Sequence, residues 1–597
     1  MAKITINEQS RNYSYNVGTS SFATVALPIT ASWGPGLYDP KTVGADSFDD
    51  LLETVVWERF TSNQAGMESF LATYRGPASN YRLAKDFSFY QAQTLLASGY
   101  DILVCRIAPG SKAGKSSVDA KLTITAKYPG TFGNNLQVVV QPVTGKDKRM
   151  NVITYVLDAS GTRTAVENIL MTTDIEDSSE SIPYIDEVES NFIDITIAEG
   201  FKVPATATAF ALEKGTDYGT FTSEEVINLA KSRYGNNNGD QYIKALTEAT
   251  KAVDAVKLNT LGYREFVFNG AIKVYDLLRD KLSYSPNRVI SPGWDDQDIA
   301  EISGTAFTGR LTEVSPIHKK LMETAYYSRC ATALIDVPKC LQRSKVYNEV
   351  PAPVGEAQDE RGYAQILSAY RPGNATFDLD ENLFASHSAL FAPWGNYTYV
   401  GTSKMQIASP AFLTLLIQRS MLLKQAAQYE WLLPSKRSHT VNVGKLDYTI
   451  GKKQLDEWQK LEGVGVNMIT NIPDIGPTLW GNSTLFDVPP ATYQALANLS
   501  TRYVFNAVKD VVYRAGIQVT FTYNNADAYS SFRAGCEGLL DLLQNQGAIT
   551  KWEMRMSADI NGYDSVNANT IIGEIILHIN GVVNDIVIDL VALPPVD

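Results

Sequence analysis

Residues 87–107 read FSFYQAQTLLASGYDILVCRI, and this stretch decides the fold class. Its first half, Phe87–Ala97, has the apolar spacing of a helix, and Gly99 fits the C-terminal cap of that helix. Its second half, Tyr100–Ile107, is an almost continuous apolar run of the length of a strand. A helix that leads into a buried strand is typical of α/β structure, because helices then cover both faces of the sheet.

The same alternation extends in both directions from this stretch. Upstream, the sequence predicts a strand over Phe22–Thr30 and an amphipathic helix over Ser47–Phe60. Downstream, Thr222 and Glu225 form the pattern of a capping box at the start of a helix. Further short apolar runs predict strands separated by helices, at Glu265–Phe268, Arg288–Ser291, Ala331–Val337 and Ala389–Phe391. This rhythm predicts a mainly parallel sheet with helices on both faces.

The segment between these two parts has a different pattern. Strands are predicted there without intervening helices, at Lys121–Ala126, Leu136–Val140, Val152–Leu157 and Phe192–Ile197. We therefore predict a β-rich domain over residues 112–215, inserted into an α/β domain that comprises residues 21–111 and 216–435.

A last region is predicted from residue 436 to residue 597. A strand at Val466–Thr470 precedes two long helices, about Ala491–Ala515 and Tyr529–Gln546. The first helix turns valines inward, and its predicted outer face carries the charged side chains Arg502, Lys509, Asp510 and Arg514. The predicted class is thus multidomain α/β and α+β, with an α+β region at the C-terminal end.

Both ends of the chain have the alternation of extended arms. Residues 1–20 place the apolar side chains Ile4, Ile6, Tyr13 and Tyr15 among polar ones, with too little apolar surface for a core. Near the other end, an apolar run up to Ile579 is followed by the turn pair Asn580-Gly581 and by a strand within residues 582–593. That strand places Ile586, Ile588 and Leu590 on one face. It forms either an ordinary hairpin or a pairing with another subunit.

Composition excludes several classes of function. The net charge of −13 and the pI near 5.0 argue against direct binding of nucleic acid, which requires clustered basic residues. No apolar run has the length that spans a bilayer, so no direct membrane insertion is expected. The four cysteines are widely spaced and form neither a disulfide framework nor a zinc motif.

No arrangement of residues indicates catalysis. The histidines are His318, His387, His439 and His578, and none lies in a recognisable nucleophile motif. His318 is followed by Lys319 and Lys320, so we place it on a solvated helix face. The oxygen-rich segments 236–240 (NNNGD) and 559–564 (DINGYD) lack the spacing of a calcium loop and are interpreted as turns. No cofactor, no metal and no enzymatic activity are expected.

One segment resembles a known family. Residues 126–136, AKYPGTFGNNL, resemble the AxYPGTxGN segment of contractile-tail sheath proteins, which occur in myophages and related contractile injection machines. Further segments resemble that family in the same order along the chain, at residues 182–195, 212–219 (LEKGTDYG), 289–294 (VISPGW), 333–338 (ALIDVP), 389–396 (ALFAPWGN), 409–411 (SPA) and 475–484 (IGPTLWGNST). The resemblance covers most of the chain, including the helix–helix–strand ending.

Two segments depart from the family pattern. Residues 214–219 read KGTDYG where family members usually carry a Gly-Gly-x-Asp-Gly turn. Residues 480–484 read WGNST where a Trp-Gly-x-Arg-Thr segment is usual. These differences affect local turn geometry and one subunit contact.

The resemblance implies a structural protein. It implies a subtilisin-like but non-catalytic central domain and polymerisation as stacked, hexameric rings around an inner tube. Contraction then drives the tube through a target envelope, which in a virion serves genome ejection. The implied partners are further copies of the chain, the inner tail tube protein, and the baseplate and tail terminator proteins. The implied location is the tail of a virion, after assembly in the cytoplasm of the bacterial host.

The resemblance also implies how subunits are linked. The N-terminal arm (Ile4, Ile6, Tyr13, Tyr15) and the C-terminal arm (Ile586, Ile588, Leu590) would be donated as strands to neighbouring subunits. A separate hypothesis is that the charged face with Arg502, Lys509, Asp510 and Arg514 meets the tube through weak contacts, and the alternative is a plain solvated face. The rival hypothesis from another class is an α/β hydrolase built on the middle domain. A closer rival is the sheath of an R-type bacteriocin or an extracellular injection particle.

Overall fold

The structure is a computed structural model that describes most of the chain. The described residues are 24–45, 47–77, 86–234, 240–294, 315–328, 330–337, 384–424, 443–446, 465–472, 476–486, 496–545, 547–556 and 573–580.

The described strands and helices alternate through much of the chain. In chain order the strands are β1 (Thr24–Ile29), β2 (Leu37–Tyr38), β3 (Glu58–Phe60), β4 (Asp101–Ala108), β5 (Gly114–Ser116), β6 (Leu122–Ala126), β7 (Leu136–Val143), β8 (Lys146–Leu157), β9 (Arg163–Thr172), β10 (Ile193–Ile197), β11 (Thr208–Ala211), β12 (Arg288–Ile290), β13 (Thr332–Asp336), β14 (Ser388–Ala392), β15 (Gly395–Tyr397), β16 (Gln406–Ala408), β17 (Val466–Ile472), β18 (Gly476–Trp480), β19 (Ile549–Arg555) and β20 (Glu574–Ile579). The helices are α1 (Pro40–Val43), α2 (Phe48–Leu52), α3 (Gln64–Thr73), α4 (Ser88–Ala97), α5 (Ser223–Tyr234), α6 (Asp240–Ala252), α7 (Ala255–Leu277), α8 (Pro316–Tyr327), α9 (Pro410–Lys424), α10 (Leu499–Val519) and α11 (Ala526–Asn545).

A mainly parallel sheet forms the centre of the molecule. Its strand order is β18–β17–β14–β13–β12–β1–β4–β2, and β3 also pairs with β4. All neighbours from β17 to β2 are parallel, whereas β18 and β3 are antiparallel to their neighbours. Every residue of β1, β4, β13 and β14 is buried, which explains why these strands lack polar alternation. The predicted mainly parallel sheet is confirmed.

Helices cover both faces of this main sheet. Alternate residues of β1 separate the two cores, since Val25 and Leu27 point to one face and Ala26 points to the other. The first face packs against α3, α4, α9, α10 and α11. The second face packs against α5, α6, α7 and α8. None of the helices described combines the length and the apolar character that crossing a bilayer requires.

Two smaller sheets are built from the strands between β4 and α5. One has the order β10–β6–β5, and the other has the order β11–β7–β8–β9, with all pairings antiparallel. Their shared core includes Ile124, Val138, Val140 and Phe210. The strands predicted in this region are confirmed. We call these two the inserted sheets, because the chain enters and leaves them between elements of the main sheet.

Two predicted elements differ in the structure. Glu265–Phe268 was predicted as a strand but lies inside α7, where almost every side chain from Thr260 to Ala271 is buried. A helix buried all round has no polar face, so a short apolar run within it looks like a strand. Ser47–Phe60 was predicted as one helix, whereas the helix ends at Leu52 and Glu58–Phe60 forms edge strand β3.

The C-terminal region differs from the prediction in one pairing. Val466–Ile472 (β17) pairs in parallel with β14 and thereby extends the main sheet, although the sequence placed it with the last region. The two long helices are confirmed, with the first beginning at Leu499. They contact each other and are followed by β19 and β20, which form a two-stranded antiparallel sheet in the part of the chain that is described. The domain boundaries given above remain predictions.

Candidate functional site: a buried joint between the main sheet and the inserted sheets

Two segments that resemble the sheath family meet where the inserted sheets join the main sheet. The backbone N–H and the hydroxyl of Thr131 both donate to the carboxylate of Asp217, at 2.8 Å each. The side-chain amide of Asn134 exchanges two hydrogen bonds of 2.8 Å with the backbone of Gly215. Segments 126–136 and 212–219 are thus fastened together. We call this contact, together with Arg106 and Trp33, the joint.

Arg106 connects the joint to the main sheet. It lies near the end of β4, and its side chain is fully buried. Its guanidinium donates to the carbonyl oxygens of Ala31 at 3.0 Å, Gly34 at 2.5 Å and Pro129 at 2.6 Å. Burial lowers the pKa of Arg106 from its ordinary value. One side chain therefore ties segment 126–136 to the chain that follows β1.

Close backbone approach in the joint requires glycine. Gly130 has φ of +128°, and a Cβ there would lie 2.0 Å from the carbonyl oxygen of Ser32. At Gly110, a Cβ would lie 1.7 Å from the carbonyl oxygen of Thr216. The contact of Gly130 explains the Pro129-Gly130 pair in the segment that resembles the sheath family, because no other residue allows the two backbones to touch.

An aromatic cluster fills the space beside these backbone contacts. The buried ring of Trp33 lies 5.1 Å from the ring of Tyr128, 5.1 Å from that of Phe132 and 6.3 Å from that of Phe192. Such offset aromatic pairs add about 0.5–1.5 kcal/mol each to the burial of their area. The joint is therefore a packed, hydrogen-bonded connection and not a flexible linker.

Four other family-like segments meet at the carboxyl edge of the main sheet. In open α/β sheets this edge is where ligands usually bind. Here the indole N–H of Trp394 donates to the carbonyl of Val337 at 2.7 Å, and the ring contacts Gly293. The carboxylate of Asp336 accepts from the backbone N–H of Ala411 at 2.7 Å, at the start of α9. The described groups at this edge bind the chain itself.

The amino edge of the main sheet contains a cluster of buried polar side chains. Arg502 on α10 donates through Nε to the carbonyl of Ser386 at 2.9 Å. Its Nη1 lies 3.0 Å from Nε2 of His387. Asn506, one turn further, donates to the carbonyl of Ala331 at 3.0 Å. Arg288 at the start of β12 lies 3.6 Å from the ring centroid of Tyr503. This face of α10 therefore supplies partners to the ends of the strands.

Two of the four predicted tube-facing residues are not on the surface. Arg502 and Asp510 are buried, so they cannot belong to a charged outer face. Arg502 is buried because its guanidinium binds Ser386 and His387 at the amino edge, whereas the buried carboxylate of Asp510 pairs with Arg514 on the same helix. Lys509 and Arg514 are exposed, and Arg514 pairs with Asp510. A role of these two cations at the tube stays a prediction.

The histidines are also placed differently from the prediction. His318 is fully buried on α8, because this helix turns Ile317, His318 and Leu321 toward the core. The prediction of a solvated face for His318 is therefore wrong, although Lys319 and Lys320 follow it in the sequence. His387 is buried in the amino-edge cluster, whereas His578 is exposed on β20. His439 lies outside the described residues.

The environment of His387 makes stability depend on pH. Burial, with Arg502 and Lys509 nearby, holds the pKa of His387 well below the ordinary value of 6.5. At neutral pH the imidazole is neutral in both the folded and the unfolded chain. Below pH 6.5 the unfolded chain binds a proton that the folded chain does not bind, so stability falls as the pH falls.

We expect His387→Gln to weaken this pH dependence. In the unaltered chain, His387 should lower the free energy of unfolding by about 1.4 kcal/mol for each pH unit below its unfolded pKa. Glutamine keeps an acceptor for Arg502 but does not titrate. Urea unfolding at pH 7.5 and pH 5.5 measures the difference, with the exposed His578→Gln as control. An equal loss of stability in His387→Gln and in the unaltered chain would contradict this prediction.

Both predicted arms fall outside the described residues. This holds for Ile4, Ile6, Tyr13 and Tyr15, and for Ile586, Ile588 and Leu590. It also holds for segment 559–564 and for most of segment 236–240. Within the described part of the chain, no group of three or more His, Cys, Asp or Glu side chains could hold a metal ion.

No family model and no curated protein matches this chain. Solved structures do. The sheath tail protein of Desulfitobacterium hafniense is similar over 97% of this chain and 100% of its own, with a TM-score of 0.44 and 12% identity. The sheath tail protein of Listeria innocua is similar over 90% of this chain and 89% of its own, with a TM-score of 0.47 and 12% identity. The chain is similar to these two sheath tail proteins.

A further match is the sheath complex of an extracellular contractile injection system, PVC, in its contracted state. The similar region spans 54% of this chain and 79% of the matched chain, with a TM-score of 0.35 and 16% identity.

Arg106 and Trp33 were not predicted as functional residues from the sequence. A signal for Arg106 was present, since an arginine stands within the otherwise apolar run of β4. Nothing in the sequence indicated that its partners would be the carbonyls of Ala31, Gly34 and Pro129. These contacts depend on how segments far apart in the chain meet.

Proposed function

We propose that this chain is a structural subunit of a contractile tail sheath. It polymerises as stacked, hexameric rings around an inner tube, and contraction of the polymer drives the tube through the envelope of a target cell. The observation that carries this proposal is where the family-like segments lie. They form the joint and the carboxyl edge of the main sheet, where they bind one another.

The proposal requires no nucleotide, cofactor or metal. Free energy is stored when the subunits assemble in an extended lattice, and it is released when the lattice relaxes to a state with more buried surface. A rigid joint supports this role, because each subunit then moves its inserted sheets together with its main sheet. The partners are other copies, the inner tail tube protein, and the baseplate and tail terminator proteins.

Strand donation is the proposed link between subunits. In the described part of the chain, β20 pairs with β19, and each of these strands keeps one edge without a described partner. Such edges readily accept another strand, because their backbone N–H and C=O groups are available. We propose that the N-terminal arm and the strand within residues 582–593 of neighbouring subunits pair with such edges.

Microscopy of the purified protein tests the proposal. A sheath subunit forms long tubes that negative-stain electron microscopy detects at once. The rival hypothesis of an α/β hydrolase instead requires a monomer or small oligomer with measurable hydrolytic activity. Whether the particle is a phage tail, an R-type bacteriocin or an extracellular injection particle is decided by the neighbouring genes.

We expect the exposed cations of α10 to contribute modestly to tube binding. Reversing both charges, in Lys509→Glu with Arg514→Glu, should weaken co-sedimentation of the chain with tube protein by no more than about thirtyfold, since exposed ion pairs contribute about 0.2–1 kcal/mol each. The effect should disappear in high salt. The matched control reverses Lys251 and Lys257, two exposed lysines on the other helical layer. Equal binding by both variants would remove α10 from the tube interface.

A further inference from the structure

The turn between α10 and α11 exposes two large aromatic side chains. This turn, residues 520–525, is called the tip below, and it reads TFTYNN. Phe521 is 89% exposed and Tyr523 is 90% exposed, and Ile517 on the last turn of α10 is 47% exposed. Two almost fully exposed aromatic residues so close together differ from the scattered apolar residues of an ordinary surface.

The backbone of the tip is also unusual. Phe521 directly follows Thr520, the C-cap of α10, and has φ of +66°. Glycine or asparagine usually occupies this left-handed position after a helix, because a bulky side chain is strained there. The phenyl ring is not buried in its own chain and so does not offset that strain. The folding of a single chain therefore gives no reason for phenylalanine at this position, whereas buried aromatic anchors are typical of interfaces.

A groove of suitable chemistry lies on the opposite side of the main sheet. It is bounded by α2, α5 and α7 and has a volume of about 530 Å³. Its lining includes the rings of Phe48, Phe221 and Phe266, and the rings of Phe48 and Phe266 are 5.2 Å apart. This volume lies in the range of about 300–1,000 Å³ in which proteins enclose compact organic groups.

The rim of the groove carries two ion pairs and the carboxylate of Asp39, which accepts a hydrogen bond of 3.1 Å from the backbone N–H of Lys41. Lys273 lies 3.1 Å from Asp49, and Lys41 pairs with Glu225. The tip contains no charged residue. An aromatic tip that enters the groove therefore brings no charge of its own against this rim, and the hydroxyl of Tyr523 can stay at the polar mouth.

We propose that Phe521 and Tyr523 of one copy insert into this groove on a second copy. The inference rests on the proposed polymerisation of the chain and names one contact within it. The two helices that carry the tip pack on one face of the main sheet, and the groove is formed by helices on the other face. A contact between two different surfaces is heterologous, and such contacts form closed rings or continuing filaments. This geometry suits a polymer and not a two-fold dimer.

Two variants test the contact from its two sides. Phe521→Ser combined with Tyr523→Ser removes the anchor, and Asn228→Trp fills the groove from an exposed position on α5. Each should leave thermal unfolding of the subunit unchanged but raise the concentration needed for tube formation by at least about tenfold, as the loss of an interface anchor does. The matched control is Leu282→Ser, which removes a side chain that is 77% exposed elsewhere. Assembly at the unaltered concentration by both variants would overturn the proposal.

Cross-linking identifies the partner directly. A photoreactive benzophenone side chain replaces Tyr523 in isotopically heavy chains, which are mixed with light chains. We expect heavy-to-light cross-links to α5 or α7. Cross-links only to another surface, or only to the inner tube protein, overturn the proposal while the tubes still support a sheath function. If the unaltered chain forms no tubes, the proposed function is contradicted, and the mixed-isotope cross-link still decides whether the tip meets the groove of another copy.

Discussion

A chain that ends at Asp585 should fold normally but sediment as a monomer. The truncation removes the alternating run with Ile586, Ile588 and Leu590, which we propose to be donated to a neighbouring subunit. Among the described residues, those that form the two cores on the faces of the main sheet all precede this run. Thermal unfolding of the subunit should therefore change little, whereas tubes should be absent because each lost strand removes a row of main-chain hydrogen bonds between copies.

Two controls separate strand pairing from a general effect of truncation. Removing only residues 594–597 leaves the alternating run intact and should preserve tubes, because Pro594 and Pro595 cannot continue a ladder. Replacing Ile586, Ile588 and Leu590 together by serine keeps the length but removes the apolar face, and it should prevent assembly. Normal tubes from the chain that ends at Asp585 would contradict donation of the C-terminal strand.

Gly130→Ala should lower the free energy of unfolding strongly, because it adds a methyl group where the backbone leaves no space for one. The new Cβ would lie 2.0 Å from the carbonyl oxygen of Ser32, which is backbone and cannot rotate away. The φ of +128° adds strain of about 1–3 kcal/mol, and overpacking adds about 1–3 kcal/mol more. The free energy of unfolding, measured in urea, should fall by the sum of these contributions.

Gly145→Ala is the matched control for this substitution. Gly145 also has a positive φ, +76°, but a Cβ there meets no atom within 4 Å. Gly145→Ala should therefore lower the free energy of unfolding by only about 1 kcal/mol, which is the backbone strain alone. Limited proteolysis gives a second measurement, since a loosened joint should expose the chain near Gly110 and Thr216 to cleavage. Equal destabilisation by the two substitutions would show that the close contact with Ser32 does not hold the joint.

The sequence predicted the strands of the main sheet because burial on both faces leaves a clear pattern. The eight residues of β4 are all buried, and the sequence there is almost uninterrupted in its apolar character. The sequence pattern did not show that Glu265–Phe268 belongs to helix α7, because these residues are buried in a helix that lacks a polar face. Glu265 is itself buried, in an ion pair of 2.6 Å with Arg233. Local periodicity carries no information about such a distant partner.

The candidate site was predictable only in part for the same reason. Segments 126–136 and 212–219 stood out by resemblance, but their contact through Thr131 and Asp217 joins residues 86 positions apart. Arg502 looked like a surface cation, because helical spacing alone does not show that the polar face of α10 lies against the amino edge of a sheet. Tertiary contacts decide which polar residues are buried, and a single sequence does not record them.

The joint also bears on how such a chain can change over generations. Ser111 and Thr216 exchange backbone hydrogen bonds of 3.1 and 3.2 Å, so the segment that leaves the main body and the segment that returns lie side by side. A gene rearrangement that replaces the codons between these two positions leaves both ends in register. The inserted sheets can then be exchanged, shortened or enlarged by recombination, while the rest of the subunit keeps its architecture.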